Sequence, residues 1–270
     1  MESFKEALAK SDTPFLQELS KAERIEIGEC PHCRNGRMPD GSPEVKRKLY
    51  KQVFPDGVER IEPCKCQGEK MANEKQREIN ARTFDKGSII HGDYAAKTFE
   101  DYVAETDEQK FALKAARYYA NHFDEQLANQ QNILFQGTFG TGKTHLAAAI
   151  RNAVSNQDYK VLFMSLPDYI QKLKDEFGDR NQRHPIYKMA KEAELLILDD
   201  IGANRMSDWE TSELFRLVEA RLGKCTIYTT NWRGKDFTET REINRVFSRM
   251  MQKTKVIPLN GPDHRMKGML

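Results

Sequence analysis

Residues 137–144 read GTFGTGKT, and this stretch decides the fold of the chain. Its spacing matches the pattern G-x-x-x-x-G-K-[ST], in which small residues let backbone N–H groups close around an anion at the N-terminus of a helix. The apolar run Ile133–Gln136 comes before it, and the helix-forming run His145–Val154 comes after it. This order of strand, loop and helix predicts a phosphate-binding loop rather than a glycine-rich turn without a ligand.

The side chains of this loop suit a magnesium nucleotide. Lys143 would neutralise the β- and γ-phosphates of ATP, and the Thr144 hydroxyl would take one position on Mg²⁺. The other candidate contacts in the loop are Gly137, Thr138, Phe139, Gly140, Thr141 and Gly142. Among these, Phe139 could equally serve packing alone.

Two carboxylates follow a second apolar run. Leu195–Leu198 predicts a buried strand that ends in Asp199 and Asp200, and open α/β sheets bind their ligands at that end of the strands. Asp199 would hold Mg²⁺, largely through water, and Asp200 would orient the attacking water. Paired acids after a strand often mark only a turn, but downstream of a phosphate loop the metal role is favoured.

Further along the chain, Asn231 ends the apolar strand Cys225–Thr230 and could touch the γ-phosphate or its water. Arg245 and Arg249 follow, four residues apart on one face of a predicted helix. Such a pair is ordinarily surface charge or a contact to nucleic-acid phosphates. Alternatively, the two arginines could reach the nucleotide of a neighbouring subunit and stabilise the charge of phosphoryl transfer.

Strand and helix patterns alternate over the last two thirds of the chain. The strand candidates are Ile133–Gln136, Lys160–Ser165, Leu195–Leu198, Cys225–Thr230 and Lys255–Leu259. Helical patterns fill the gaps, and a capping box at Thr106 and Gln109 predicts a helix that continues to Leu127. The sequence therefore predicts an α/β fold, with a parallel sheet and helices on both of its faces.

The first third of the chain has a different pattern. Residues 1–29 predict short amphipathic helices with Ile25 on their apolar side. The alternation on both sides of Pro55–Gly57 predicts a β-hairpin, and the charged stretch Gln67–Thr83 predicts a connecting helix. We expect an N-terminal domain over 1–66, a connecting helix and linker over 67–93, and a nucleotide-binding domain over 94–270.

Four of the five cysteines lie in this N-terminal domain. The candidate zinc ligands are Cys30, Cys33, Cys64 and Cys66, in the spacings C-x-x-C and C-x-C. The hairpin between the pairs could bring four thiolates into a closed, tetrahedral structural site. His32 could replace one thiol, and free thiols or a redox pair are the alternatives. Cys225, within an apolar strand, is expected to be a small core residue.

Charge and hydropathy limit the partners and the cell compartment that we expect for this chain. The 43 Lys and Arg nearly balance the 41 Asp and Glu, so any nucleic-acid surface has to be local. No apolar run is long enough to span a bilayer, and the charged start MESFKEALAK does not fit a secretory signal. We expect a cytoplasmic protein that makes no contact with membranes.

Four segments, in this order and spacing, resemble the AAA+ ATPases of the DnaC and DnaI group, which load replicative helicases in bacteria and their phages. The segments are GTFGTGKTHLAAAI (137–150), LLILDDIGA (195–203), TIYTTN (226–231) and RVFSRM (245–250). The resemblance covers residues 84–265 and implies an AAA+ fold. It implies Walker A at Gly137–Thr144, Walker B at Asp199 and Asp200, sensor 1 at Asn231, and an arginine finger at Arg249 with Arg245 in reserve.

The chain departs from the AAA+ pattern at two places. Many AAA+ proteins have glutamate where Asp200 stands, and the shorter acid implies slow hydrolysis or a shifted water. Arg265 stands at the position of a second sensor arginine that would contact the nucleotide, but only five residues follow it, which implies a reduced lid.

The resemblance implies an ATP-dependent loader that assembles head to tail as a homo-oligomer and uses DNA-stimulated ATP hydrolysis as a switch. Its zinc domain would dock on a hexameric replicative helicase, since DnaI-like loaders carry such a domain. Single-stranded DNA would contact Lys172, Lys174, Arg180 and Arg183. The alternatives are a transposition helper ATPase with an IstB-like core, a P-loop kinase, and a zinc-organised interaction protein whose ATPase is vestigial.

Overall fold

The computed structural model describes residues 23–29, 48–55, 57–62, 65–176, 185–261 and 263–264. The chain divides into two units, residues 1–76 and 77–270. The helix α1 (Lys65–Gly87) contains the point of division, and the stretch Gln67–Thr83 is helical as predicted. Ala81 and Phe84, near its end, are buried in the second unit, so part of the expected linker belongs to that core.

The described part of the first unit is an antiparallel sheet of three strands, β1 (Glu23–Glu29), β2 (Lys48–Val53) and β3 (Glu59–Glu62). The predicted hairpin is confirmed by the pairing of β2 with β3. The helix predicted to include Ile25 is wrong, because ERIEIGE alternates isoleucine with charged residues and pairs with β2 as a strand.

The two faces of this sheet differ in chemistry. One face carries a charged network, in which Arg24 pairs with Glu62 at 2.8 Å and lies 3.6 Å from the centre of the Tyr50 ring. The opposite face carries Ile25 and Ile61, which are 36% and 67% exposed. Directly paired strand residues share a face, so Lys51, which pairs with both Ile25 and Ile61 and forms an ion pair with Glu59 at 2.7 Å, stands between these two exposed apolar side chains.

The second unit contains the alternating elements that the sequence predicts. Its helices are α2 (Asp107–Asn121), α3 (Phe123–Asn129), α4 (Lys143–Ser155), α5 (Leu166–Glu176), α6 (Pro185–Glu192), α7 (Asp208–Ala220) and α8 (Arg241–Met250). Its strands are β4 (Asn132–Gly137), β5 (Val161–Ser165), β6 (Leu195–Ile201), β7 (Cys225–Thr230) and β8 (Thr254–Leu259). Short 3-10 turns occupy Gly92–Ala96 and Asp236–Thr238.

The five strands form one parallel sheet in the order β5-β6-β7-β4-β8. Side chains alternate between its faces, so Ile133 and Phe135 join one core while Leu134 joins the other. The first core contains α2 and α4, and the second contains α5, α6, α7 and α8. The predicted parallel α/β fold with helices on both faces is confirmed.

The predicted capping box at the start of α2 is also present, with reciprocal bonds between Thr106 and Gln109. The single helix predicted to reach Leu127 is interrupted at His122, where α2 ends and α3 begins. In the ranges given above, no helix combines the length and the apolar character that a membrane span needs.

Candidate nucleotide-binding site

The sheet order brings the predicted site residues to neighbouring strand ends. Strand β7 lies between β4 and β6, and all three run in parallel. Their carboxyl ends lead to the loop Gly137–Thr144, to Asn231, and to Asp199 and Asp200. An open α/β sheet binds its ligand at this edge, so the topology assembles residues that lie far apart in the sequence.

The course of the loop needs glycine at two positions. Gly142 has a φ of +89°, and a Cβ there would lie 2.4 Å from the ring of Tyr102. The hydroxyl of the same Tyr102 donates to the Thr141 carbonyl at 2.9 Å, so this side chain also holds the loop by a hydrogen bond. Gly140 has a φ of +68°, and a Cβ there would overlap the Asp263 carboxylate. Both positions hold the backbone close to its neighbours, as an anion-binding loop requires.

A short segment after β8, which includes Gly261 and His264, closes over this loop. The Thr138 hydroxyl lies 3.0 Å from the Gly261 carbonyl, and the His264 N–H donates to the Gly140 carbonyl at 3.1 Å. Periodicity and motif spacing gave no signal for these contacts. Arg265, which the resemblance places next in this segment as a second sensor, lies outside the described residues.

Lys143 is 6% exposed, and its Nζ donates to the carbonyls of Gly137 and Thr138 at 3.0 and 2.6 Å. The ammonium group is therefore held inside the curve of the loop. A phosphate group at this place would offer it a charged acceptor, and charge-assisted hydrogen bonds are the stronger kind. This geometry fits the predicted role of Lys143.

The Asp199 carboxylate lies against the loop. The Thr144 hydroxyl is 3.0 Å from both carboxylate oxygens of Asp199, and the Thr229 hydroxyl donates to Asp199 Oδ1 at 2.5 Å. Thr144 and Asp199, the two residues predicted to hold Mg²⁺, therefore lie next to each other. Hard oxygen ligands of this kind suit Mg²⁺, which keeps most of its remaining positions for water and phosphate.

Strand β6 is irregular where its two acids stand. Its register with β7 shifts between Leu198 and Ile201, and Asp200 has a φ of +55°. The Asp200 N–H donates to the Thr229 hydroxyl at 2.9 Å, and the Thr230 hydroxyl donates to the Ile201 carbonyl at 2.7 Å. Hydroxyl groups thus replace the interrupted ladder bonds. The two threonines before Asn231 were the available sequence signal, and motif reasoning missed them.

Burial raises the pKa of Asp199 from 3.8 to about 6, and the charge of Asp200 adds to the rise while the hydrogen bond from Thr229 opposes it. A buried carboxylate that is partly protonated near neutral pH gains most from a cation placed beside it. The same carboxylate is the predicted Mg²⁺ ligand, so its unfavourable burial fits a metal role.

The raised pKa of Asp199 predicts a pH effect on stability. An acid whose folded pKa is raised stabilises the fold at low pH, and this contribution is lost between its unfolded value of 3.8 and about 6. Relative to Asp199→Asn, the wild-type free energy of unfolding should fall by up to about 3 kcal/mol over this range and then level off. Urea unfolding without Mg²⁺ across this pH range measures the difference, and parallel pH profiles would contradict it.

Asn231 lies beside the carboxylates and lines the same cleft as Lys143, Thr144 and Asp200. Its Oδ1 is buried and accepts no hydrogen bond from the described residues. A buried polar atom without a partner costs free energy, so it marks a place for a ligand or water. The cleft has a volume of about 490 Å³, within the usual range for small-molecule sites.

The cleft has further lining residues that motif reasoning did not single out. They are Asp93, Tyr94, Lys97, His145, Ala203 and His264. The Phe139 side chain also lines the cleft and is 65% exposed, so the alternative that it serves packing alone finds no support. Tyr94 and Lys97 belong to the segment before α2, so a part of the chain that is distant from the loop in sequence also lines the cleft.

The two arginines of α8 do not line this cleft. Arg249 pairs with Glu219 of α7 at 2.8 Å, and the Arg245 guanidinium lies 4.1 Å from the centre of the Phe215 ring. Each therefore contacts α7 of its own chain. The site within one protomer contains the loop, the two acids and Asn231, and it takes no arginine from α8.

The predicted DNA and zinc residues are only partly described. Lys172 is exposed on α5, and Lys174 pairs with Glu210 at 2.9 Å. The remaining ones, Arg180, Arg183, Cys30, Cys33 and Cys64, lie outside the described residues, as does the side chain of Cys66. Among the described residues, no group of His, Cys, Asp and Glu could hold a metal with three or more ligands. Cys225 is buried and free, as predicted.

Comparison with known proteins places the chain among ATP-binding relatives. Its sequence is 32% identical to the replicative helicase loader DnaC of Escherichia coli K12 over 178 residues, which cover 63% of this chain and 70% of DnaC. It is 31% identical over 151 residues to an ATP-binding protein of insertion sequence IS232 from Bacillus thuringiensis subsp. berliner, with coverage of 52% of this chain and 58% of that protein.

The fold is similar to the crystal structure of the DnaC helicase loader, with a TM-score of 0.56 and 24% identity over 63% of this chain and 99% of that one. The five-stranded parallel sheet flanked by helices thus has the fold of that loader's structure. A family model described as IstB-like ATP binding protein matches residues 89–269, which contain the whole cleft, and this family implies ATPase activity. The chain is a member of the IstB-like ATP-binding protein family.

Proposed function

We propose that this protein is an ATP-dependent helicase loader in DNA replication. The observation that carries the proposal is its 32% identity to DnaC over 178 residues, which cover 70% of that loader's length. The cleft supports the ATP-dependent part, since Lys143, Asp200 and Asn231 line it and Thr144 joins the Asp199 carboxylate to it, and these are groups that phosphoryl transfer uses.

Within the cleft, each residue has a defined task. The Lys143 ammonium would bind the β- and γ-phosphates, while the Thr144 hydroxyl and the Asp199 carboxylate would hold Mg²⁺. Asp200 would orient the water that attacks, and the free Oδ1 of Asn231 would position this water or report on the γ-phosphate. Bound Mg²⁺ would neutralise the charge that develops on the phosphate oxygens.

The position of the two α8 arginines supports assembly into a homo-oligomer. Arg249, with Arg245 in reserve, faces α7 of its own chain and not its own cleft. In a head-to-tail assembly, the arginine of one protomer would complete the cleft of the next. ATP would then act as a switch that favours the assembled state.

The N-terminal domain would dock on the hexameric replicative helicase. Its zinc site would use Cys30, Cys33, Cys64 and Cys66, and the exposed side chains of Ile25 and Ile61 belong to the same region. We retain the division into a docking domain over 1–66, a connecting segment over 67–93 and an ATPase domain over 94–270. Arg265 would act there as a second sensor, and the protein would work in the cytoplasm.

Single-stranded DNA would contact the basic residues around α5. These are Lys172, Lys174, Arg180 and Arg183. Of the two that are described, Lys172 is exposed, whereas Lys174 has to leave Glu210 before it can bind a phosphate. Lys172 is therefore the better candidate of these two.

A second candidate function is a transposition helper ATPase. The identity to the IS232 protein and the name of the matching family favour it. The two functions differ in their partner. A pull-down from host lysate, with ATP and with ADP, should recover the replicative helicase under one nucleotide and release it under the other. Recovery of a transposase instead would overturn the loader proposal.

The zinc assignment is tested in the same pull-down. Cys64→Ser should lose the bound zinc and the helicase together, because a structural zinc site holds its domain folded. ATP binding should stay unchanged, because the nucleotide cleft lies in the second unit. Metal analysis and helicase recovery measure the effect, and Cys225→Ala is the matched control. A Cys64→Ser variant that retains zinc or the helicase would show that the docking site is organised differently.

A further inference from the structure

A second groove lies at the β8 edge of the parallel sheet. It runs between α2 and β8, has a volume of about 350 Å³, and shares no lining residue with the nucleotide cleft. The inference uses six of its lining residues, namely Phe111, Lys114, Ala115, Tyr118, Lys255 and Ile257. Neither the predicted motifs nor the proposed mechanism uses this groove.

Exposed aromatic rings stand along its α2 wall. Phe111, Ala115 and Tyr118 recur at i, i+4 and i+7, so they share one face of the helix. Phe111 is 50% exposed and Tyr118 is 51% exposed, whereas the adjacent Tyr119 is only 2% exposed. The two rings are separated by about 10 Å along the helix axis, and the small Ala115 between them leaves a notch.

The groove carries positive charge. Lys114 and Lys255 are its charged lining residues, and neither has a carboxylate partner among the described residues. Lys255 Nζ lies 5.5 Å from the centre of the Phe111 ring. By contrast, Lys110 and Arg117 on the same helix are each paired with a carboxylate. The groove therefore offers two cations beside two flat apolar surfaces.

We propose that this groove binds single-stranded nucleic acid, with bases stacked on Phe111 and Tyr118 and backbone phosphates beside Lys114 and Lys255. Aromatic platforms beside a basic track are how proteins bind single strands without sequence preference. Tyr118 also stacks on His122 at 4.2 Å, which holds its ring in place.

The chemistry favours a nucleic acid over an apolar peptide as the occupant. An apolar helix laid in the groove would bury the two lysines without partners, and unpaired buried charges are costly. A single strand would place its bases on the two aromatic rings and its phosphates beside the two lysines. The inference rests on the single-stranded DNA part of the proposed function, and it uses residues distinct from Lys172 and Lys174.

Fluorescence anisotropy with a labelled oligothymidylate and the full chain tests the groove. Phe111→Leu and Tyr118→Leu keep apolar bulk but remove the ring, and each should weaken binding about fivefold or more. Tyr118→Trp should keep the affinity. For Lys114→Gln and Lys255→Gln, the slope of log K against log salt should fall by about 0.7 each. The matched control is Lys86→Gln, an exposed lysine that lines neither cleft, and it should leave the slope unchanged.

Wild-type affinity in both leucine variants would overturn the groove proposal. Equal losses in Tyr118→Leu and Tyr118→Trp would also overturn it, because they would indicate structural damage instead of lost stacking. The helicase pull-down with the same variants distinguishes a failure of the groove proposal from a failure of the loader proposal. A groove variant that loses the oligonucleotide but still recovers the helicase supports the groove as a nucleic-acid site.

Discussion

Lys143→Ala should bind ATP at least about a hundredfold more weakly than the wild type. The Nζ of Lys143 is the buried cation at the centre of the loop, held 3.0 and 2.6 Å from two loop carbonyls. Hydrogen bonds to charged groups are each worth about 1.5–3 kcal/mol, so two lost bonds to phosphate account for this factor. Titration with a fluorescent ATP analogue measures the affinity.

The control for this experiment is Lys86→Ala, which removes an exposed lysine and should bind as the wild type does. Lys143→Ala also leaves the carbonyls of Gly137 and Thr138 without their donor, so urea unfolding should accompany the titration. If a folded Lys143→Ala protein bound ATP with wild-type affinity, the proposed nucleotide site would be wrong.

Arg249→Ala should bind ATP normally but hydrolyse it about a thousandfold more slowly, which is the lower range for the loss of an arginine finger. Binding is spared because Arg249 contacts Glu219 and does not line the cleft of its own chain. Steady-state ATPase assays at high protein concentration, together with the same fluorescent titration, separate these two quantities. Arg245→Ala serves as the comparison for the reserve arginine.

Mixing Arg249→Ala with Lys143→Ala decides whether the arginine acts between protomers. Each variant alone should be inactive. In the mixture, an intact loop in one protomer meets an intact Arg249 in the other, so part of the activity should return. A mixture that stays inactive would indicate that Arg249 acts within its own chain or has no part in hydrolysis.

The nucleotide-binding unit was predictable because its signals are local. An apolar run followed by a glycine-rich loop and a helix-forming run identifies β4 and α4 within a few residues, and the run before Asp199 identifies β6. Parallel pairing then follows from the alternation of strands and helices. The capping box at Thr106 was equally local, since its bonds join residues three positions apart.

The contacts that complete the site were not predictable in this way. The hydroxyl of Thr229 bridges two acids that stand thirty residues earlier, and His264 meets Gly140 from the other end of the unit. Such contacts depend on the sheet order, which periodicity does not determine. The strand β1 was misassigned although its alternation of isoleucine with charged residues is a local signal, because residues 1–29 were treated as one helical stretch.

The structure also gives a reason for aspartate at position 200. Its φ of +55° lies in the left-handed region, which aspartate and asparagine adopt more readily than most other residues with a side chain. Asp200 can therefore turn the chain at the irregularity of β6 and still present a carboxylate to the cleft. The departure from the AAA+ pattern suits the local backbone.

The ion pair between Arg249 and Glu219 is itself half open to solvent, with side chains 39% and 43% exposed. Pairs of this kind contribute only about 0–1 kcal/mol, so parting them adds little to the cost of subunit contact. In a dilute monomer, Arg249 would stay paired with Glu219 of α7. When several protomers bind side by side on one partner, this pair would part and Arg249 would reach the cleft of the neighbouring protomer. The timing of hydrolysis would then be set by how many protomers gather in one place.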